Sequence, residues 1–352
     1  MSYEIIKKRN YLVDIFKFIA ATMVVGIHCA PLNSYNQFLN NVIFQGVSRI
    51  AVPFFFMISS FFLFSKMKLE VGKEKKVLIH YIKRMGLLYL FWFIVFLPQI
   101  IKIRYEVFVP IYGRRKAVII LLNSILWCSS FQGSWYLNAS IICAVLVFML
   151  DKKMGKKMTY CISGMCFVLS TTLGSYYEVF SQWIPQFYEK CIEPFWPPYN
   201  TFVIGMLYFV IGKYIAETKK EKLAFWGIRK PMLVISVLLV VFEATYMHTH
   251  TFYHAPDSFF SLLPATYFIV ICVVYSEINI NISDKIIKFL RDSSVIMYIV
   301  HFAILRFWTN MEIEFSNSLL KYFATICVSL GISFGIVKLE KIKMLGFLRF
   351  SH

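Results

Sequence analysis

DIFKFIAATMVVGIHCAP, residues 14–31, decides how this chain is read. The stretch is apolar enough to span a bilayer, yet it carries Asp14, Lys17 and His28. A charge in hydrocarbon costs on the order of 2.5–3.5 kcal/mol on insertion scales, so ionisable residues there mark working sites. Helical residues follow one another at about 100°. Eleven steps therefore bring Lys17 and His28 within about 20° of one face, roughly 16 Å apart along the axis. Asp14 lies a short turn below Lys17 on the same stripe. The sequence predicts a polar rail along one side of a membrane helix.

The rest of the 352 residues has the composition of a polytopic membrane protein. It is 59% hydrophobic and only 16% charged, with mean hydropathy +0.64, far from the usual soluble balance. Thirty-six Phe and 21 Tyr suit lipid-facing and interfacial surfaces. A net charge of +18 would suit nucleic acid if the basic residues formed one patch. They lie instead in short loops between apolar runs, so nucleic acid is excluded as a partner. The cysteines show no metal-ligand spacing, and no metal is assigned.

The apolar runs predict an all-α fold of about ten spans: 12–31, 42–64, 80–101, 136–150, 158–174, 200–215, 231–247, 259–275, 293–309 and 319–337. Twenty-six of the 37 Lys and Arg fall in the N-terminus and segments 65–84, 151–157, 216–230, 276–292 and 338–352, against six in the alternate segments. The positive-inside bias thus predicts a multi-pass membrane protein with cytoplasmic termini. Ala117–Trp127 is too short to span, which predicts a re-entrant segment within 102–134. One membrane domain over 1–352, with no separate soluble domain, is the expected organisation.

Depth then groups the candidate chemistry. His28, Arg49 and Glu243 fall in the outer half, where Trp135 and Tyr136 open a span. A His oriented by a carboxylate is a general base, and an Arg beside it can hold an oxyanion or an anionic acceptor. His28 and Glu243 are the expected catalytic residues, and Arg49, Trp135, Tyr136 and His301 the expected acceptor-binding set. On the inner side, Lys17, Lys83 and Arg84 are expected to bind a phosphorylated donor. The basic run Lys66–Lys76 reads first as lipid contact. His248, His250 and His254 share a loop without a fixed element, which is too little for a zinc site. Asn33–Asn36 reads as a polar turn.

At these residues the sequence resembles the acyltransferase 3 family of bacterial membrane acyltransferases. Lys17 and His28 match its basic-x10-His signature, and Arg49–Ser60 is similar to its second-helix segment. Trp135-Tyr136 resembles its Trp-Tyr helix entry, and Arg291–His301 its late Ser…Tyr-x-x-His segment. Within the family the likeness is greatest to the membrane half of the vancomycin-resistance serine racemases, carried by His28–Pro31, Gly174–Tyr177, Phe242-Glu243, Asp257-Ser258 and Pro264. The resemblance implies cytosolic acyl-CoA as donor substrate with no bound cofactor, an acceptor hydroxyl at the outer face, and roles for His28, Lys17 and Arg84. The expected activity is transfer of an acyl group other than aminoacyl, acetyl by expectation, to an envelope glycan or lipid-linked sugar. The alternative is a membrane carrier for a small polar solute such as serine.

Overall fold

The computed structural model describes residues 11–186, 188, 197–250, 258–278 and 280–352. The described residues are helical and contain no strand. The main helices among the described residues are α1 (Tyr11–Cys29), α2 (Ala51–Leu69), α3 (Glu74–Ile103), α4 (Val109–Leu126), α5 (Trp135–Leu173), α6 (Phe202–Glu217), α7 (Arg229–His250), α8 (Leu262–Val274), α9 (Asp284–Asn310) and α10 (Ser318–Leu339); α5 runs through two of the expected spans and α4 lies at none. Among the described residues, five helical stretches are long and apolar enough to cross a membrane: Tyr11–Cys29, Gln37–Leu69, Glu74–Leu126, Trp226–His250 and Ser318–Leu339. The others miss that standard for visible reasons. α6 has 16 residues, α9 opens with Asp284, Lys285, Lys288, Arg291 and Asp292, and α5 carries Asp151, Lys152, Lys153, Lys156 and Lys157 in its middle.

That basic stretch in α5 was expected as a loop between two spans. The interruption is there as a tight turn at Gly155, whose φ of 79° and ψ of 169° redirect the chain between two helices. Only glycine takes this conformation without strain. Gly113 makes a second break, at φ 76°, inside α4. Beyond it the chain folds back on α3: Arg104 Nη2 donates to Ser124 Oγ at 3.0 Å, and the Tyr89 hydroxyl lies 2.6 Å from Ser130 Oγ. A helical hairpin of this kind has the shape expected of a re-entrant segment. The polar turn also holds: the Asn36 side chain accepts from Leu39 N at 3.0 Å, capping the next helix.

The loops rich in Lys and Arg meet at one end of the bundle. Lys68 donates to Glu217 O at 3.1 Å, Lys156 pairs with Glu217 at 2.7 Å, Lys213 pairs with Asp151 at 2.9 Å, and Trp92 Nε1 donates to Ser351 O at 3.0 Å. We call this the basic end. Small residues let the central helices close on each other, as membrane packing requires. A Cβ on Gly212 of α6 would lie 2.2 Å from Met57 O of α2, and Ser60 Oγ of α2 donates to Phe209 O of α6. α1 is wedged into this core, with Ala20, Ala21 and Val25 fully buried.

Candidate functional site

Two cavities flank α1. The first, of about 310 Å³, opens at the basic end and is lined by Lys17, Ser59, Lys66, His80, Tyr81, Arg84, Tyr136, Arg291, Ser294, Tyr298 and His352, among others. No Asp or Glu is among its described lining residues. Nearby carboxylates stand behind the cations instead. Asp14 lies 3.9 Å from Lys17 Nζ, and Asp292 accepts from Arg291 Nε at 2.9 Å. Lys17 Nζ also sits 5.1 Å from the centre of the Phe62 ring. The cavity is built for an anion with an apolar extension, because cations converge on a partly apolar wall.

The second cavity, of about 300 Å³, lies toward the opposite end. It is lined by His28, Arg49, Val52, Phe56, Ser129, Gln132, Trp135, Tyr199, Asn200, Tyr208, Ser258, Tyr298 and Phe302, among others. The His28 ring is exposed to this space and packs 4.3 Å from Phe302 and 5.3 Å from His301, centroid to centroid. Arg49 Nη2 donates to Gln45 Oε1 at 2.7 Å, and Gln45 Nε2 donates to Ile27 O at 2.8 Å. The guanidinium is thereby tied to the turn of α1 that carries His28.

Tyr298 lines both cavities. Around it, neighbours along the chain divide between them: Phe55 and Tyr136 face the basic-end cavity, Phe56 and Trp135 the other. The rings of Phe55, Tyr136 and Tyr298 pack at 5.8–6.0 Å. The Tyr136 hydroxyl lies 2.9 Å from Ser59 Oγ, and Tyr298 donates to Gly133 O at 3.0 Å. An aromatic wall therefore separates the two spaces, one side chain thick at Tyr298. Lys17 and His28 stand on opposite sides of it, on the same helix.

The structure rearranges several expected site residues. His28, Arg49 and Trp135 share one cavity, and Lys17 and Arg84 share the other. Tyr136 belongs to the basic-end cavity rather than to the His28 side. Lys83 is exposed and lines neither, because it precedes Arg84 and faces another side of α3. His301 is fully buried behind His28. Its Nδ1 donates to Met297 O at 3.1 Å, which leaves Nε2 as a lone pair without a hydrogen-bond partner among the described residues.

The expected pairing of His28 with Glu243 does not form. The Glu243 carboxylate accepts from Phe260 N at 2.8 Å and Ser261 N at 2.7 Å, and also from the Tyr176 hydroxyl. It thus holds the entry to α8, where backbone N–H groups have no helical partner and favour an anion. It interacts electrostatically with Tyr208, which lines the second cavity. Arg291, His80 and His352 were not singled out from the sequence. Arg291 stood inside the quoted late segment, whereas nothing in the sequence linked the C-terminal His352 to this site. No cluster of metal-ligating residues occurs among the described residues. His254 lies outside them.

Fold and cavities together define an all-helical membrane protein with a cavity on each side of a thin internal wall. The family model described as an acyltransferase domain, of the acyltransferase 3 type, matches residues 10–338, and the chain belongs to that family. It is 26% identical over 307 residues to an amino-acid racemase of Enterococcus faecalis, across 84% of this chain and 41% of that protein. It is 25% identical over 264 residues to a serine/alanine racemase of Enterococcus gallinarum, across 74% of this chain and 36% of that protein. The chain thus spans well under half the length of these curated relatives. No solved structure matches it significantly.

Proposed function

We propose that this protein is a transmembrane O-acyltransferase. It moves an acyl group, acetyl in our reading, from acyl-CoA at the basic end to a hydroxyl of a cell-envelope glycan or lipid-linked sugar on the other side of a bacterial cytoplasmic membrane. The observation that carries this reading is the shared wall at Tyr298, with a cationic cavity on one side and an accessible imidazole on the other. The polar groups of the donor meet Lys17, Arg84 and Arg291, and its thioester arm reaches past Tyr298 toward His28. The roughly 16 Å between Lys17 and His28 along α1 suits such an arm.

His28 then takes the proton of the acceptor hydroxyl while that oxygen attacks the thioester carbon. The C–O bond forms, the C–S bond breaks, and the proton passes from the imidazolium to the departing thiolate. Arg49, held by Gln45, stands where it can stabilise the tetrahedral oxyanion or bind the acceptor. Trp135, Tyr199 and Tyr208 supply ring faces of the kind that pack against a sugar. Glu243 acts at a distance, by fixing the α8 entry beside Ser258 and Tyr208.

A carrier for a small polar solute is the second reading, and the word serine in one relative's name favours it. Purified protein separates the two. Acyl-CoA-dependent acylation of an acceptor that disappears in His28→Ala supports the transferase. Serine flux in proteoliposomes without CoA, unchanged in His28→Ala, would replace it with the carrier.

A further inference from the structure

A third cavity adjoins the His28 chamber. It measures about 330 Å³ and shares Ser129, Gln132 and Phe302 with the chamber. Its walls carry two arginines, Arg104 from the end of α3 and Arg306 from α9, and no Asp or Glu among the described lining residues. Arg104 Nη2 is held by Ser124 and its guanidinium lies 4.0 Å from the centre of the Phe108 ring. Its Nη1 is buried with no hydrogen-bond partner among the described residues. Arg306 has no ion pair among the described residues, although Lys102 nearby is matched to Glu106 at 4.0 Å. A cation left without its carboxylate in so apolar a place is suited to an anion from outside the chain.

The same vestibule shares Phe96 and Ala303 with a fourth cavity, an open groove of about 690 Å³. This groove is lined by α3, α9 and α10 through residues such as Trp92, Val95, Ile304, Phe307 and Ile332, and has almost no polar surface. The residues follow in order along α9. Val300 and Ile304 face the groove, Ala303 faces both spaces, Arg306 faces the vestibule, and Phe302 touches the His28 ring. Apolar groove, the two arginines and the imidazole therefore line a series of adjoining cavities running sideways to the site.

We propose that a lipid-linked acceptor carrying a phosphate enters along this path, its hydrocarbon tail in the α3–α9–α10 groove, its phosphate between Arg104 and Arg306, and its hydroxyl-bearing head beyond Phe302 at His28. The groove supplies hydrophobic contact along the tail. The two guanidinium groups supply charge-assisted hydrogen bonds to the phosphate. The path narrows the acceptor to the lipid-linked class, and only its last step rests on the acyl-transfer reading.

Binding tests the path separately from turnover. The protein is placed in phosphatidylcholine nanodiscs and titrated with labelled farnesyl phosphate. Saturable binding is expected, at least tenfold weaker for farnesol. It should fall at least tenfold in Arg104→Gln with Arg306→Gln, and in Ala303→Trp, which blocks the path but keeps both charges. Monodisperse elution checks folding of each variant, and Arg104→Lys with Arg306→Lys should regain part of the affinity. Wild-type protein that binds the probe saturably but transfers no acyl group would fault only the acyl-transfer reading. Wild-type affinity in the arginine variants overturns the proposal. So does displacement of the probe by inorganic phosphate or phosphatidylglycerol as readily as by unlabelled farnesyl phosphate, which would make the site an ordinary anion or bulk-lipid contact.

Discussion

His28 and His301 lie with ring centroids 5.3 Å apart and planes 26° from parallel, and only His28 reaches a cavity. His301 is held through Nδ1 on Met297 O, so it is a fixed surface against which the working ring packs. The two histidines should therefore differ in effect. In the proposed mechanism His28→Ala removes the general base and should lower kcat by about 10²- to 10⁴-fold. His301→Gln should lower it about tenfold, with KM for the acyl donor unchanged, because it loosens His28 without touching the donor. Steady-state kinetics of both variants decide this. Equal loss in the two would make His301 a reacting group.

The basic-end cavity predicts which cations bind the donor. Arg84 and Arg291 line it, and Lys83 does not. A hydrogen bond to a charged group contributes about 1.5–3 kcal/mol, so Arg84→Gln and Arg291→Gln should each raise KM for acyl-CoA by roughly 10- to 150-fold and change kcat less. Lys83→Gln should change KM by less than threefold. The advantage of wild type over the arginine variants should shrink at high salt, because screening weakens partly exposed charges. KM measured at two ionic strengths checks both points.

The aromatic wall predicts a leak. Tyr298 touches both cavities and donates to Gly133 O at 3.0 Å. Gly133 itself has φ 84°, and a Cβ there would meet Phe302 at 3.3 Å. Tyr298→Ala should join the two spaces and admit water to the thioester. Acyl-CoA hydrolysis without acceptor should then rise while acyl transfer falls, whereas Tyr298→Phe should keep the wall and most of the transfer. Free thiol released with and without acceptor measures the ratio. An unchanged ratio in Tyr298→Ala would mean that the wall does not gate the reaction.

Much of this arrangement was legible along α1, because helical periodicity alone places Lys17 and His28 on one face and the cost of burying charge marks them. The inference failed where position depends on how helices pack. Tyr136 follows Trp135 in sequence, yet the two face different cavities, since successive helical residues point about 100° apart. Glu243 lies at the right depth for His28, but the unpaired N–H groups of Phe260 and Ser261 take its carboxylate first. His352 could not be placed at all, because its approach to Asp292 (3.9 Å) and Glu340 (3.3 Å) depends on how the C-terminal segment docks. The break between the two helical halves of α5 was legible in the basic run 151–157; that it is a turn at the single residue Gly155, φ 79°, was not.

That turn is pinned by charges at the basic end, which predicts a pH dependence of stability. Glu217 accepts from Lys156 at 2.7 Å and pairs with Lys213 at 2.8 Å, while Lys213 also reaches Asp151 at 2.9 Å. Burial alone would raise the Glu217 carboxyl, but the hydrogen bonds and charges of Lys156 and Lys213 outweigh it and lower it below the usual carboxylate range. A group depressed in the folded state contributes stability above its unfolded value, about 4.3, and loses it as pH falls through the lower folded value. Lys156 has the opposite sign. Its hydrogen bond to Glu217 raises it above 10.5, so its contribution persists below that pH and is lost as pH rises beyond it. The melting temperature in detergent should be flat between about pH 6 and 9 and should drop on the acid side below about pH 4. Glu217→Gln should melt lower at pH 7 and show a shallower acid limb, because the proton that wild type must take up there has no site. An acid limb of unchanged slope in Glu217→Gln would move the acid sensitivity to another carboxylate.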